Sequence, residues 1–231
     1  MLRPLAPRPD APYLCERFHK PPADVKRIAE STVRRLSLYL RFLEDFEARG
    51  QLTVSSDELA QQGGTTSAQV RKDLSFFGSF GKRGLGYSVP ELATQLREIL
   101  GLGRTWRVAV IGAGKIGSAL VQYRGFRQRG FDVIAAYDND PAVIGRKWNG
   151  LVVRDVRDFE KDADVANPDI VVLAVPAEQA QSVADFVVGH GVKAILNFAS
   201  APLTVPDDVA VKTVNMAMEL ETLSYALVNR D

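Results

Sequence analysis

A single cysteine, Cys15, among 231 residues excludes an internal disulfide and is compatible with a reducing cytoplasm. Histidine is almost as scarce. His19 lies in a proline-rich start and His190 stands beside Gly191 at a helix end, so neither is placed as a catalytic proton donor. The longest apolar run, "IVVLAVPA" at residues 170–177, is far too short to span a bilayer. The opening "MLRPLAPRPDAP" carries positive charge but no apolar core, so no secretory signal is expected. The phosphate-loop pattern GxxxxGK[ST] is missing as well.

What is present is an ordinary globular composition, 46% hydrophobic and 25% charged, with an uneven spread of charge. Residues 1–107 hold 17 Lys/Arg against 12 Asp/Glu, whereas the remainder holds 12 against 16. A positive front half points to a polyanion partner. Six of the 12 prolines fall within the first 22 residues, which marks 1–23 as a loosely attached tail.

From Val25 onward, Ile28, Val33, Leu36, Leu40, Leu43 and Phe46 recur at helical spacing, and Gly50 closes the pattern. Arg34, Arg35 and Arg41 fall between these positions and should border the buried stripe. Ser55 and Glu58 then form a capping box for a short helix from Ser56 to about Gln62, stopped by Gly63 and Gly64. Thr66 and Gln69 suggest a second capping box, with Val70, Leu74 and Phe77 on one buried face. Helix, glycine turn and second helix are the pattern of a helix-turn-helix.

The glycine-rich stretch "QVRKDLSFFGSFGKRGLGY", residues 69–87, can now be placed. Gln69, Arg71, Lys72 and Ser75 lie away from the buried face of the third helix, with Thr66 and Ser67 at its start. Leu85, Tyr87 and Val89 alternate as in a strand, so Gly81-Lys82-Arg83-Gly84 reads as the tip of a β-hairpin. A basic hairpin after a helix-turn-helix is a wing that grips DNA phosphates. The candidate DNA contacts are therefore Thr66, Ser67, Gln69, Arg71, Lys72, Ser75, Lys82 and Arg83. A helix from Pro90, with Leu92, Leu96 and Ile99 on one face, reads as a linker.

A second glycine-rich segment has a different character. In "WRVAVIGAGKIGSALVQY" a buried strand runs straight into a helix, and Gly112, Gly114 and Gly117 fit G-x-G-x-x-G. Such glycines give a tight turn, close approach of a pyrophosphate, and close helix–strand packing. Asp138 ends the next apolar strand, 21 residues past Gly117, where an acid accepts adenosine ribose hydroxyls and disfavours a 2′-phosphate. NAD(H) is thus favoured over NADP(H), the alternative being that Asp138 only caps a turn with Asn139 and Pro141. Further strands, "LVVR", "DIVVLAVPA", "VKAILNFAS" and "VAVKTVN", alternate with helices from Asp155 and Glu178 and predict a parallel doubly wound sheet. Strand ends at Val175-Pro176 and Asn197-Phe198-Ala199 should border the nicotinamide half. No proton donor, substrate-orienting cation or substrate domain accompanies this sheet, so the nucleotide is expected to be read rather than used.

"TVRRLSLYLRFLE", "QVRKDLSFFGSFGKRGLGY", "VIGAGKIGSALVQYRGF", "AVPAEQAQ" and "ILNFAS" closely resemble the Rex family of redox-sensing transcriptional repressors over about residues 24–228. The resemblance implies a non-enzymatic homodimer whose winged-helix domains bind a palindromic operator while NADH is scarce. NADH would release the DNA, and NAD+ would compete without releasing it. It implies DNA contacts at Arg71, Lys72, Lys82 and Arg83. Cofactor contacts would fall at Gly112, Gly114, Lys115, Ile116, Gly117 and Asp138, with Asn197 to Ala199 beside the nicotinamide; Ala113 of the glycine fingerprint and Val175 and Pro176 at the switch point complete the candidate cofactor residues. Arg41 and Tyr123 match positions at the family's domain interface. The helix of about Ala217–Val228 resembles a segment that each subunit inserts between its partner's domains. Where the family usually shows Asn-Val-Asp-Leu, this chain reads Thr213-Val214-Asn215-Met216, and Asn-Phe-Ala-Pro becomes Asn197-Phe198-Ala199-Ser200. The expected organisation is a tail (1–23), a winged helix-turn-helix domain with its linker helix (24–104), a Rossmann-like sheet (105–214) and a swapped C-terminal helix (215–231). The competing readings are an oxidoreductase with an accessory helical domain and a CoA-binding, ligase-like module.

Overall fold

Leu36, Tyr39, Leu40, Leu43 and Phe46 recur every three or four residues and bury one side of a 19-residue helix, α1 (Glu30–Ala48). The structure, a computed structural model, describes residues 28–81 and 85–229; the expected tail, Val25, Lys82 and Arg83 lie outside the described residues. The chain divides between Gly101 and Leu102 into two units.

In the first unit the buried stripe of α1 passes through Thr32, one residue before the expected Val33, which is 41% exposed. Thr32 can be buried because its hydroxyl accepts from Arg35 Nη2 at 3.1 Å. The capping box of α2 (Ser56–Gly63) is present: Ser55 Oγ accepts from the Glu58 N–H, and Glu58 accepts from the Ser55 N–H at 2.8 Å. Gly64 ends α2 in the left-handed region at φ 58°. Thr66 caps α3 (Ser67–Ser75) by accepting from the Gln69 N–H at 3.2 Å, but the reciprocal half of the box is missing. The Gln69 side chain turns instead to Asp73. Phe77 lies past the end of α3 and is only half-buried.

The strand expected as the second arm of the hairpin is short, and its partner lies ahead of α2 rather than directly before it in the chain. β2 (Tyr87–Ser88) pairs antiparallel with β1 (Thr53–Val54), and Val89 opens α4 (Val89–Ile99) rather than extending the strand. Pro90 is the reason: it has no N–H for a ladder and suits the first turn of a helix. Nor is α4 a linker. Its Leu92, Ala93 and Leu96 are buried in the first unit, and Arg97 bonds Glu44 of α1 at 3.2 Å. An amphipathic stripe that strong needs a partner, and α1 supplies it.

The second unit runs β3 (Trp106–Ile111), α5 (Lys115–Gln122), α6 (Arg124–Gln128), β4 (Phe131–Asp138), β5 (Lys147–Trp148) and β6 (Leu151–Asp155). A 3-10 turn leads to α7 (Phe159–Ala166), β7 (Ile170–Leu173), α8 (Ala177–Gly189), β8 (Ala194–Asn197), β9 (Ala210–Thr213) and α9 (Met216–Val228). Sheet order is β5-β6-β4-β3-β7-β8-β9. All pairs are parallel except the short edge pair β5–β6, which the sequence reading did not foresee. No helix joins β8 to β9; Leu203 and Val205 of that connection pack on the core instead. One core cluster, around Phe159, Val171 and Val187, lies on one face of the sheet, and another, around Val110, Val121 and Val153, on the other. The chain reverses its direction of winding between β3 and β7, which opens a crevice at the carboxyl ends of these strands. Among the described residues no helix is long and apolar enough to cross a membrane.

Candidate nucleotide cleft and nucleic-acid interface

The crevice is a cleft of about 510 Å³ lined by Gly112, Gly114, Lys115, Ile116, Asp138, Val175 and Pro176 among others. Its geometry follows from the three glycines. Gly112 has φ 93°, and a Cβ there would stand 2.4 Å from the Ala174 carbonyl oxygen. A Cβ on Gly117 would stand 1.8 Å from the Gly112 carbonyl oxygen, so only glycine lets α5 start this close to β3. Gly114 differs: nothing lies within 4 Å of its would-be Cβ, which leaves the backbone bare toward the cleft at the N-terminus of α5. The first N–H groups of that helix have no acceptor within it, and with the helix dipole they favour an anion.

Asp138 closes the other side. Its Oδ2 accepts from the Ala113 N–H at 2.6 Å and its Oδ1 from the Asn139 and Asp140 N–H groups at 2.7 and 2.9 Å. The carboxylate therefore both caps the turn and ties the glycine loop to the end of β4. With about four lone-pair sites, it keeps acceptor capacity for a hydroxyl. Ala113 is buried, and it contributes only its backbone.

The other expected cofactor residues fall elsewhere. Asn197 is fully buried; its amide donates to the Ala201 carbonyl at 2.9 Å and accepts from the Ala199 N–H at 2.9 Å. Ala199 is buried too, and Phe198 packs half-buried on the core, so none of the three lines the cleft. Val156, Gln179 and Val183 do line it, and the sequence reading missed them. They stand on a 3-10 turn and on α8; Gln179 falls within AVPAEQAQ, a stretch that carries the family resemblance, while no motif marks Val156 or Val183. His190 ends α8, bonded through Nδ1 to the Phe186 carbonyl at 2.8 Å and packed against the Phe186 ring.

Tyr123 is 60% exposed, meets Phe126 edge-to-face at 5.1 Å, and lines a groove of about 770 Å³ with Phe126, Phe131 and Val133. No crossover helix connects β4 to β6, so this part of the sheet face stays open. Asn215 caps α9 by accepting from the Ala217 and Met218 N–H groups at 3.0 and 3.4 Å. Beyond that cap, Met216, Met218, Leu220, Leu223, Tyr225 and Leu227 are each at least 60% exposed. Arg41 is exposed on α1.

In the first unit, Arg71, Lys72 and Ser75 share the exposed side of α3. Arg71 Nη1 donates to Ser56 Oγ at 2.8 Å, and Ser75 Oγ donates to the Lys72 carbonyl at 2.7 Å. Beneath them lies a polar cluster that the sequence reading overlooked. Asp73, wholly buried, accepts from Arg35 Nε and Nη2 at 2.6 and 2.8 Å, from Gln69 Nε2 at 2.7 Å and from the Tyr39 hydroxyl at 3.0 Å. Burial alone would raise its carboxyl pKa, but hydrogen bonds from Arg35, Gln69 and Tyr39 together hold it below the usual carboxylate value. Tyr39 is pushed up to about 12, first by burial and then by its bond to Asp73. An Asp at i+4 from Gln and seven residues past the cap was the available signal, since a charge on a buried face demands a partner.

A helix-turn-helix in one unit and a dinucleotide cleft in the other define a nucleotide-responsive DNA-binding protein as the class to look for. Residues 27–75 match a family described as "Putative DNA-binding protein N-terminus", and residues 103–201 match the CoA binding domain family. The redox-sensing transcriptional repressor Rex of Carboxydothermus hydrogenoformans is 49% identical over 86% of this chain and 96% of that protein. Among solved structures, the Rex-family repressor RSP in complex with β-NAD+ and operator DNA is 39% identical, with a TM-score of 0.83 over 87% of this chain and 92% of that one. RSP in complex with β-NADH is 37% identical, with a TM-score of 0.80 over 87% and 94%. The chain belongs to the Rex family of redox-sensing transcriptional repressors.

Proposed function

We propose that this chain represses transcription as a homodimer bound to a palindromic operator and leaves the DNA when NADH occupies its cleft. The observation that carries the reading is the presence, on one chain, of a helix-turn-helix and a cleft shaped by Gly112, Gly114 and Gly117. Gly114, Lys115 and Ile116 hold the pyrophosphate at the start of α5, Asp138 takes an adenosine ribose hydroxyl, and Val175 and Pro176 border the nicotinamide. The nicotinamide supplies the signal through its oxidation state, and no residue of the chain acts as a catalyst. NAD+ competes for the cleft without releasing DNA. Thr66, Ser67, Gln69, Arg71, Lys72 and Ser75 face the duplex, and Lys82 and Arg83 add contacts to its phosphates.

Dimerisation runs through α9. A helix with large apolar residues on opposite faces is stable only when covered, and α9 leaves seven large apolar side chains bare. Its cover is a second copy, with Arg41, Tyr123, Asn215 and Met216 at the joint. The place of action is the cytoplasm, where DNA and the NADH pool meet.

A gel-shift titration of a palindromic duplex, first with NADH and then with NAD+, tests the reading; release by both or by neither would overturn it. The family match at residues 103–201 makes CoA the second ligand to try. The phosphate on the CoA ribose would meet the Asp138 carboxylate, so NADH should bind more tightly. Tighter binding of CoA would reverse the assignment.

Arg71→Ala should abolish operator binding at unchanged NADH affinity. Each well-oriented base or phosphate contact contributes about 1–3 kcal/mol per half-site, and a two-fold dimer uses it twice. Parallel gel-shift and NADH-fluorescence titrations read both effects. Asp138→Ala should weaken NADH and leave a repressor that NADH does not release, because the mutation removes both the ribose acceptor and the tie to Ala113. Normal NADH-driven release in that variant would place ribose recognition elsewhere.

A further inference from the structure

Gln69 stands in the first turn of α3, two residues before Arg71, and is half-buried at the edge of the buried face. Its amide is not free to turn. Nε2 donates to Asp73 Oδ1 at 2.7 Å, one turn further along the same helix. An ionised carboxylate accepts and cannot donate, so the amide is fixed with nitrogen toward Asp73 and oxygen away from it. Asp73 itself cannot swing, because the Arg35 guanidinium grips both of its oxygens, Nε on Oδ2 and Nη2 on Oδ1; the Tyr39 hydroxyl only adds a bond to Oδ2, the oxygen that does not hold Gln69. The anchor on α1 thereby sets the orientation of a side chain on α3.

What remains of the Gln69 amide for an outside partner is the carbonyl Oε1 and the second hydrogen of Nε2. Acceptor and donor side by side match the major-groove edge of adenine, which offers the N6 amino group as donor and N7 as acceptor. Guanine offers two acceptors there and cannot satisfy Oε1. Residues in the N-terminal turn of a recognition helix are those that reach base edges.

We propose that Asp73 is a positioning residue for base recognition: by holding the Gln69 amide nitrogen, it presents the Gln69 carbonyl oxygen and second amide hydrogen to an adenine in each operator half-site. The inference rests on the repressor reading above and adds the base chemistry that α3 selects. Arg71, tethered to Ser56, is set beside it, so the helix carries two readers that are oriented before DNA arrives.

The test is selection of duplexes from a library randomised across the half-sites, using the full-length protein and its variants. Wild type should require A·T at one position per half-site that Gln69→Ala no longer selects, with about tenfold loss of discrimination there and little change elsewhere. Asp73→Asn keeps an acceptor but loses the charge, and it should broaden that same position. Tyr39→Phe removes another donor to Asp73 while sparing Gln69, so it should lower the melting temperature and leave the selected sequence unchanged. If Asp73→Asn does not fold, NMR of wild type without DNA decides: the Gln69 side-chain amide should be ordered where that of exposed Gln61 is mobile. Four results would overturn the proposal: an unchanged profile in Gln69→Ala, a uniform loss at all positions, loss of a G·C preference instead, or a Gln69 amide as mobile as Gln61. Broadening of the same position by Tyr39→Phe would also overturn it, by showing that stability rather than orientation sets the preference. A wild type that selects no sequence at all would strike the repressor reading itself, a distinct result.

Discussion

Gly117→Ala is expected to eliminate NADH binding and destabilise the second unit. The added methyl would stand 1.8 Å from the Gly112 carbonyl oxygen, well inside contact distance, and the obstacle is backbone. Gly112 has little room to shift, because its backbone already packs so closely on Ala174 that a Cβ built on it would stand 2.4 Å from the Ala174 carbonyl oxygen. Relief requires α5 to move off β3, which breaks the cleft and strains the packing of Val121 on the sheet. Overpacking of this kind costs about 1–3 kcal/mol and more where backbone is the obstacle. NADH fluorescence titration and thermal unfolding should both change, and operator binding should persist without release by NADH. Two further variants separate the effects. Gly114→Ala meets nothing within 4 Å, so it should fold normally yet weaken NADH, because it adds a methyl to a cleft-lining residue at the start of α5, where the proposed function places the pyrophosphate. Gly103→Ala, also unobstructed but outside the cleft, should change neither property. Wild-type NADH affinity in Gly117→Ala would refute the close packing of loop and helix.

Asp73→Ala is expected to unfold the first unit or to lower its stability by about 3 kcal/mol, and to abolish operator binding while the NADH cleft stays intact. Removing one partner of a buried ion pair strands the other groups. Here those are the Arg35 guanidinium, the Tyr39 hydroxyl and the Gln69 amide. Arg35 keeps 26% of its side chain in solvent, which places the cost at the lower end of the range for a fully buried pair. The same cluster gives a pH dependence with a definite sign. Burial, outweighed by the bonds from Arg35, Gln69 and Tyr39, leaves the folded-state carboxyl below its unfolded pKa. Its stabilisation is therefore complete above the unfolded value of about 4 and is lost as pH falls through that value toward the folded one. Thermal unfolding of wild type should show that acid-side loss, and Asp73→Asn should flatten it. An equal loss in wild type and Asp73→Asn would assign the acid sensitivity to other carboxylates.

Local chemistry was legible in the sequence. Ser55 and Glu58 at i, i+3 form the capping box because both partners lie within one helical turn. Gly112, Gly114 and Gly117 mark the nucleotide loop because each spacing is fixed by a strand running into a helix. The apolar excess of α9 was visible as composition alone. What the sequence could not specify depended on contacts between distant segments. Val89 alternates correctly for a strand, yet Pro90 and the buried face of α1 make it the start of a helix. Asn197 ends a strand, the place of a ligand residue in such a sheet, but its amide is consumed by Ala199 and Ala201 in a turn that no local pattern announces. Asp73 and Arg35 are 38 residues apart, and only the packing of α3 on α1 turns two ordinary surface-type residues into a buried anchor. Hydrophobic periodicity says which face of a helix is buried, whereas the identity of the group it meets is a property of the assembled fold.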